Sequence, residues 1–408
     1  MQELVGALRS YAWGSRTALA RLCGRPVPSA HPEAELWFGA HPADPAHVKA
    51  AEGPRSLLEV LSADPARELG TVADAFDSRL PFLLKILAAE EPLSLQAHPS
   101  SAQARVGFER ENRTGVPLDS PLRNYRDDSH KPELVVALDR FEALAGFRNP
   151  HRTVELLRAL DVPGLNIYAE LLAAQPDSAG LRTLFTTWIT LPPAALATLL
   201  PAVLEGCVRY LSDNGGREFT AEVRTALELA EVYPGDAGVL AALLLNRLTL
   251  EPGQGLFLAA GNLHAYLRGV GVEIMANSDN VLRGGLTPKH VDVPELLRVL
   301  DFEPIDLPVI EPEPGADGGV RYSTPAPEFA LCRFDLAAGA EPVDLADAGP
   351  GIVLCTHGTV ELFHNGRTLI VECGNAAWIS AADTDIRARA LDGQAQLFSA
   401  CVGSQSRA

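Results

Sequence analysis

The spacing of apolar residues changes twice along this chain, and that change restricts the fold more than any other feature. Across residues 36–136, short apolar runs alternate with glycine, proline and aspartate, which is typical of strands and turns. Across residues 151–246, apolar residues recur every three or four positions, as in amphipathic helices of about 10–15 residues. Strand-like sequence resumes at Leu248 and continues to Met275. The pattern predicts a β-rich unit interrupted by an all-helical insert.

A second β-rich pattern occupies the C-terminal part of the chain. Residues 301–317 are acidic and rich in proline, and we interpret them as a linker. Beyond the linker, apolar segments such as 351–355, 359–363 and 368–371 are separated by turns about every 8–12 residues. This spacing predicts a small barrel or sandwich.

Composition and charge exclude several classes of protein. The chain is 47% hydrophobic and 21% charged, which is ordinary for a globular protein. A formal net charge of −18 argues against nucleic acid or an anionic membrane surface as a partner. The richest apolar stretches, 239–245 and 191–204, are short or broken by proline, so we expect no membrane-spanning segment. The first ten residues lack the apolar region of a secretory signal, so we expect a cytoplasmic protein.

Cysteine and lysine give two further indications. The six cysteines form no CxxC pair, which predicts reduced, mostly core thiols rather than a zinc ribbon or a disulfide framework. Only four of the 34 basic residues are lysines, at positions 49, 85, 131 and 289. Each lysine therefore raises the question of what a compact ammonium group does there that a guanidinium group cannot.

Polar residues alternate with apolar ones in the segment 93–98. The strand period of two places Ser94, Gln96 and His98 on one face, with apolar side chains on the other. Gln96 and His98 are both competent metal ligands. Taken alone, the segment is more typical of a half-buried strand whose polar residues are hydrogen-bonded.

Two more segments carry metal-competent side chains. His130, Lys131 and Glu133 crowd a turn at Pro132, and Glu133 opens an apolar, strand-like run. A charged surface turn is the alternative interpretation. His264 follows a run of small residues, with a spacing that resembles the second metal motif of cupin barrels. The segment from Gln96 to His98 resembles the first motif, with glutamine in place of one histidine.

Ordered motifs along nearly the whole chain resemble the type I phosphomannose isomerases, which share these departures from ordinary cupins. The matching motifs are Tyr11-Ala-Trp-Gly14, Ala34-Glu-Leu-Trp-Phe-Gly-Ala-His-Pro42, Leu80-Pro-Phe-Leu-Leu-Lys85, Pro92-Leu-Ser-Leu-Gln-Ala-His-Pro99, His130-Lys-Pro-Glu133, Gly261-Asn-Leu-His-Ala-Tyr266 and residues 273–289. The resemblance implies a mainly β fold with an α-helical insert. Its implied parts are a catalytic cupin (jelly-roll) barrel at 1–147 and 247–300, an all-helical domain at 148–246, and a C-terminal cupin-like β domain at 301–408.

The resemblance also implies a zinc-dependent isomerase that interconverts mannose 6-phosphate and fructose 6-phosphate through an enediol. One zinc ion per chain would be held by Gln96, His98, Glu133 and His264. Two imidazoles, one carboxylate and one amide suit Zn²⁺, and they leave the site net positive for substrate oxygens. The reaction moves a proton between C2 and C1, so a metal and a positioned acid/base suffice. No GxGxxG follows a strand, so we expect no nicotinamide cofactor.

Further site residues are implied by position within the same motifs. The acid/base candidates around the open-chain sugar are His130, Lys131, Asp279 and Arg283. The candidates for binding or neighbouring the phosphate are Ser94, Lys85 and Lys289. Other candidates for the sugar pocket are Glu273, Tyr266 and Trp13. Ordinary loop charges at Glu273, Asp279 and Arg283, and a core role for Trp13, are the alternatives.

Two other functions stay open at this point. A cupin that uses Fe(II) for oxygen chemistry would consume oxygen and usually has a compact ligand motif. A sugar-binding cupin without activity would fail a turnover assay. We expect a monomer that acts on a small-molecule sugar phosphate, with no nucleic-acid or membrane partner.

Overall fold

The computed structural model describes residues 1–50, 53–213, 218–306, 309–345 and 349–403. Parts of four predicted segments lie outside the described residues. They are 51–52 of the β-rich segment 36–136, 214–217 of the helical insert, 307–308 of the linker, and 346–348 with 404–408 of the C-terminal domain.

Several helices begin at residues that the sequence supplies as caps. Ser100 and Gln103 form a reciprocal capping box before α5, and Asn149 caps α6, which starts at Pro150. The helices are Ala18–Leu22 (α1), Leu57–Ala63 (α2), Pro65–Leu69 (α3), Val72–Ala75 (α4), Ser101–Arg113 (α5), Pro150–Ala159 (α6), Pro163–Ala174 (α7), Ser178–Ile189 (α8), Pro193–Asp213 (α9), Thr220–Val232 (α10), Gly238–Ala242 (α11) and Val293–Val299 (α12).

The strands lie on both sides of the long helical segment. They are Gln2–Val5 (β1), Ala7–Arg9 (β2), Glu35–Phe38 (β3), His47–Val48 (β4), Arg55–Ser56 (β5), Phe82–Ala89 (β6), Leu95–Ala97 (β7), Glu133–Ala137 (β8), Phe141–Phe147 (β9), Leu245–Leu250 (β10), Gly255–Leu258 (β11), His264–Ala276 (β12), Leu282–Gly285 (β13), Val309–Ile310 (β14), Glu313–Pro314 (β15), Val320–Tyr322 (β16), Ala330–Leu336 (β17), Val343–Asp344 (β18), Gly351–His357 (β19), Thr359–His364 (β20), Arg367–Glu372 (β21), Ala376–Ile379 (β22), Arg387–Ala390 (β23) and Ala395–Cys401 (β24).

Within the described ranges, antiparallel sheets of eleven, nine and four strands make up the β structure. The eleven-stranded sheet contains the order β14-β11-β8-β12-β6-β3-β2, and the long strand β12 also pairs with β7 and β9. The nine-stranded sheet has the order β15-β16-β17-β24-β19-β22-β1-β4-β5. The chain is thus a mixed α/β protein with a helical segment inserted into a largely antiparallel β framework.

The centre of the eleven-stranded sheet has one polar and one apolar face. Glu273 of β12 lies opposite Lys85 of β6, which in turn lies opposite Trp37 of β3. Alternate residues such as Leu84 and Ile274 point the other way, into an apolar core that also contains residues of the nine-stranded sheet. The strand period of two therefore concentrates polar side chains on one face, where the site described below is built.

Helix α9 is long and apolar enough to cross a membrane when it is judged by length and composition alone. The expectation that proline breaks this apolar stretch is wrong, because the helix continues through Pro201. Leu199, Val203 and Cys207 of α9 are buried in the apolar core of the helical segment. Packing against neighbouring helices therefore accounts for the face of α9 that these three residues form.

The structure departs from the predicted organisation in three places. The segment 36–136 is less purely β than expected, because it contains the 13-residue helix α5, whose capping box was a readable start signal. The segment predicted as a linker contributes β14 to the eleven-stranded sheet and β15 to the nine-stranded one. The N-terminal strand β1 pairs with β22 of the C-terminal part, which the predicted division does not anticipate.

The six cysteines, all within the described ranges, form no disulfide. Cys207 and Cys355 are buried, and the other four are partly exposed. Cys207 and Cys355 belong to apolar cores, and Cys23 and Cys332 are partly buried against them, so the prediction of mostly core cysteines is confirmed in part.

Candidate active site

Three side chains from separate segments of the chain meet at one buried point. His98 follows β7, Glu133 begins β8 and His264 begins β12, and their exposures are 1%, 2% and 0%. Glu133 Oε2 lies 3.4 Å from His98 Nε2 and 3.5 Å from His264 Nε2. The three potential ligand atoms all lie within 4.8 Å of one another.

Backbone carbonyls orient both imidazole rings. His98 Nδ1 donates to the carbonyl of Asn280 at 2.8 Å, and His264 Nδ1 donates to the carbonyl of Asn262 at 3.0 Å. Since each Nδ1 carries the proton, the Nε2 lone pairs point toward Glu133. Burial lowers the pKa of His98 to about 4, so this ring is neutral at pH 7.

A divalent cation fits this arrangement. His98 Nε2, His264 Nε2 and Glu133 Oε2 are buried and have no hydrogen-bond partner among the described residues. Unpaired buried acceptors are costly, and a cation among them would satisfy all three. Two neutral imidazoles with their Nδ1–H groups hydrogen-bonded, plus one carboxylate, form a typical zinc ligand set.

Gln96 lies beside this group through strand pairing. In β7 it is opposite His264 of β12 on one side and Arg283 of β13 on the other. Residues directly opposite one another in antiparallel strands share a face, with Cβ atoms about 4.5–5.5 Å apart. The amide of Gln96 is therefore next to the metal-competent group, as its predicted role as fourth ligand requires.

Lys131 is the cation closest to this group. Its Nζ lies 3.2 Å from Glu133 Oε1, the carboxylate oxygen that faces away from the histidines, and its side chain is 11% exposed. Burial raises the pKa of Glu133, but His98 and Lys131 outweigh this effect and hold the pKa well below its usual range. The ion pair with Lys131 therefore favours the carboxylate form of Glu133.

Lys85 belongs to a buried network of ion pairs near the metal-competent group of His98, Glu133 and His264. Its Nζ lies 2.6 Å from Glu273 Oε2 and 3.4 Å from Glu35 Oε1. Burial lowers the pKa of Lys85, but the two carboxylates outweigh it and raise the pKa well above its ordinary value. Tyr266 is 1% exposed and donates to Glu273 Oε1 at 2.7 Å. This placement argues against the predicted phosphate contact of Lys85, since its charge is already balanced.

Asp279 lies at the partly exposed edge of the site and is paired with His41. Ala43 N–H donates to His41 Nδ1 at 3.2 Å, so the proton of a neutral His41 is on Nε2, which lies 3.4 Å from Asp279 Oδ1. The hydrogen bond from His41 lowers the pKa of Asp279. Asp279 is consequently an ionised carboxylate whose orientation is set by His41.

Three cations share the same edge without a carboxylate partner among the described residues. They are Arg283, Lys289 and Arg126, whose backbone N–H donates to Asn280 Oδ1 at 2.7 Å. Burial lowers the pKa of Arg283, and the positive charge of Arg126 lowers it further. Burial also lowers the pKa of Lys289, and the charges of Arg283 and Arg126 add to that effect. In a chain of net charge −18, a group of mutually repelling cations is a natural anion site.

The remaining predicted residues are less closely tied to the metal-competent group. His130 points toward the C-terminal part of the chain, where its Nε2 lies 2.6 Å from Glu328 Oε1. Ser94 is partly exposed just before β7. Trp13 packs against the apolar cluster that contains Tyr266 and is also stacked on Tyr11 at 5.6 Å.

Sequence reasoning missed several residues that organise the site. Asn280 is fully buried, and its side chain binds the backbone of Arg126, Asp127 and Ser129 while its own carbonyl binds His98. Of the missed residues, Glu35 and His41 do lie within the motif 34–42 quoted above. Arg126 and Glu328 had no readable signal, because only the folded chain brings them to the site.

The chain is similar to one enzyme family throughout its length. The family model described as phosphomannose isomerase type I, catalytic domain, matches residues 1–150. The mannose-6-phosphate isomerase of Escherichia coli (strain K12) is 37% identical over 388 residues, which cover 95% of this chain and 96% of that protein. The mannose-6-phosphate isomerase of Homo sapiens is 33% identical over 381 residues, covering 87% and 86%.

Solved structures show the same similarity. A crystal structure of mannose 6-phosphate isomerase bound with zinc and yttrium matches with a TM-score of 0.89 and 34% identity, covering 99% of this chain and 100% of that one. A zinc-bound mannose 6-phosphate isomerase matches with a TM-score of 0.89 and covers 99% of both chains.

Proposed function

The chain belongs to the type I phosphomannose isomerases, and from that premise we propose that it interconverts mannose 6-phosphate and fructose 6-phosphate with one zinc ion per chain. The observation that carries the proposal is the convergence of His98, Glu133 and His264, whose three unpaired ligand atoms lie within 4.8 Å. A cationic edge beside this group suits a sugar phosphate. An oxygen-activating or catalytically inactive cupin is not favoured.

We infer that Gln96, His98, Glu133 and His264 hold the metal. A bound zinc ion supplies a Lewis acid that stabilises negative charge on the substrate oxygens at C1 and C2. With a single carboxylate among the four donors, the ligand set leaves such a site net positive.

Isomerisation requires that a proton leave C2 and a proton be added at C1, with an enediol between the two steps. Asp279 is ionised and is oriented by His41 Nε2 at 3.4 Å, which places a carboxylate at the edge of the site as a candidate proton acceptor. Lys131 is suited to donate one to a sugar oxygen, since its ammonium lies between Glu133 and the partly exposed edge. Arg283, beside Gln96 in the strand register, can stabilise charge on the same oxygens.

We assign the phosphate to the cations Arg126 and Lys289, which lie beside Arg283 at the same edge. A phosphate dianion is bound best by several cations and donors at one end of a pocket. The partly exposed position of Ser94, just before β7, supports its predicted contribution. The balanced ion pairs of Lys85 favour a different role for that residue, which is to hold Glu273 and Glu35 in place.

Lys289→Ala is expected to raise KM for mannose 6-phosphate about 10- to 100-fold and to change kcat little. The reason is that a charge-assisted contact made equally in the ground and transition states contributes about 1.5–3 kcal/mol to binding. Steady-state kinetics checks this, with Lys49→Ala as the matched control, because Lys49 pairs with Glu3. An unchanged KM in Lys289→Ala would remove Lys289 from the phosphate site.

The finer organisation follows the family. We propose that the eleven-stranded and nine-stranded sheets contribute to two cupin-like barrels, with the helical insert at 148–246 between segments of the first. The first domain would combine 1–147 and 247–300, the second would be 148–246, and the third would be 301–408. Strand β1, although part of the first range, pairs with β22 of the third. We further propose a cytoplasmic monomer without nucleic-acid or membrane partners.

Isomerisation in deuterated water tests the reaction class. Proton transfer through an enediol should place deuterium on C1 of fructose 6-phosphate, as observed by NMR, without any uptake of oxygen. Oxygen consumption would instead identify an oxygenase. Binding of mannose 6-phosphate without any conversion would identify a sugar-binding protein.

A further inference from the structure

One hydrogen bond joins the C-terminal part of the chain to the turn that carries Lys131. Glu328 lies in the loop between β16 and β17 of the nine-stranded sheet, and its Oε1 is 2.6 Å from His130 Nε2. The two residues are 198 positions apart, and their side chains are 13% and 27% exposed. Hydrogen bonds to a carboxylate are shorter and stronger than neutral ones, particularly when they are shielded from water.

The loop that presents Glu328 is anchored on both sides. Ala326 is 7% exposed and Phe329 is 1% exposed, and both pack in the apolar core that also contains Leu134 of β8 and Ile274 of β12. Leu134 directly follows the metal-competent Glu133. The carboxylate of Glu328 is therefore held at a fixed position relative to the strands of the site.

Packing alone does not fix the ring of His130. A cavity of about 330 Å³ adjoins it, lined among others by Ser129, His130, Asn277 and Glu328. The ring could turn into this space if its hydrogen bond were lost. Among the described residues, Glu328 is the side chain that holds the His130 ring.

The other end of the same turn is held from within the eleven-stranded sheet. The side chain of Asn280 binds backbone atoms of Arg126, Asp127 and Ser129. Asn280 therefore holds the backbone of the turn up to Ser129, and Glu328 holds the side chain of the next residue, His130. Lys131 follows immediately, with its Nζ 3.2 Å from Glu133 Oε1.

We propose that Glu328 is a positioning residue for the isomerisation: it orients His130 and, through the adjoining backbone, the ammonium group of Lys131. This inference rests on the proposed function. It makes the C-terminal part of the chain a contributor to the active site rather than only a packing partner. A displacement of about 1 Å in a reacting group is enough to slow catalysis up to 10²-fold, so a loss of about tenfold is expected when the orientation is lost.

The test uses the full-length, zinc-loaded protein with Glu328→Ala and the conservative variant Glu328→Gln. Glu328→Ala should lower kcat about tenfold, with KM within about twofold of wild type. Glu328→Gln, which keeps an acceptor oxygen but not the charge, should retain an intermediate kcat. Zinc content and thermal midpoint should stay close to wild type in both. Glu361→Ala, which removes the partner of Arg389 in the four-stranded sheet, is the matched control and should keep wild-type kcat.

A double-mutant cycle with His130→Ala separates positioning from general stability. If Glu328 acts through His130, then Glu328→Ala causes no further loss of kcat in the His130→Ala background. Additive losses, or a lower thermal midpoint with unchanged kcat, would overturn the inference. An inactive wild-type protein would contradict the proposed function itself, whereas an active wild type with an equally active Glu328→Ala rejects the positioning role only.

Discussion

His264→Ala is expected to lose bound zinc and to lower kcat for mannose 6-phosphate by about 10³-fold or more. His264 is fully buried and presents an unpaired Nε2 to Glu133, so alanine removes one ligand and leaves a cavity in its place. Loss of the metal removes a Lewis acid that contributes several kcal/mol to transition-state stabilisation. Two measurements check this prediction. Elemental analysis after gel filtration gives the zinc content per chain, and steady-state kinetics gives kcat.

His357→Ala is the matched control for this experiment. His357 is exposed at the end of β19, outside the metal-competent group, and its replacement should leave zinc content and kcat unchanged. Full activity with stoichiometric zinc in His264→Ala would contradict the ligand assignment.

Lys131→Arg is expected to lower kcat by about 10²- to 10⁴-fold while zinc content and fold are retained. Arginine keeps the positive charge beside Glu133, but its guanidinium is larger and stays protonated up to about pH 12, so it cannot exchange a proton near neutrality. The magnitude is the usual contribution of one general acid or base. Lysine is also the rarer choice in this chain, which has four lysines among 34 basic residues.

Lys49→Arg controls for the lysine-to-arginine change itself and should be silent, because Lys49 is 60% exposed. Two outcomes for Lys131→Arg would contradict a catalytic role. Wild-type turnover would mean that charge alone suffices. Loss of zinc would mean that Lys131 serves mainly to hold Glu133, with which it makes a 3.2 Å ion pair.

Local sequence pattern was sufficient to mark the metal-competent side chains, and the family resemblance supplied the ligand set. Strand alternation puts Gln96 and His98 on one face, and the proline turn puts Glu133 at the start of a strand, where the structure has β8. The C-terminal strands 351–357, 359–364 and 367–372 lie within one or two residues of their predicted positions. Turn chemistry and alternation are local properties, so they can be read from the sequence.

Residues that act across long sequence separations could not be found in this way. The bond from His98 to Asn280 spans 182 positions and that from His130 to Glu328 spans 198. The same limit explains the interpretation of Lys85. Its rarity and its motif suggested a phosphate contact, but only the sheet register shows that Glu273 lies directly opposite and neutralises it.

A zinc titration of metal-free protein tests the central claim most directly. The protein is stripped with a strong chelator, zinc is added back in steps, and the conversion of mannose 6-phosphate to fructose 6-phosphate is followed at each step. We predict no conversion without metal and a linear rise that reaches its plateau at one zinc ion per chain. Full conversion by the metal-free protein, or none at saturating zinc, would contradict the account.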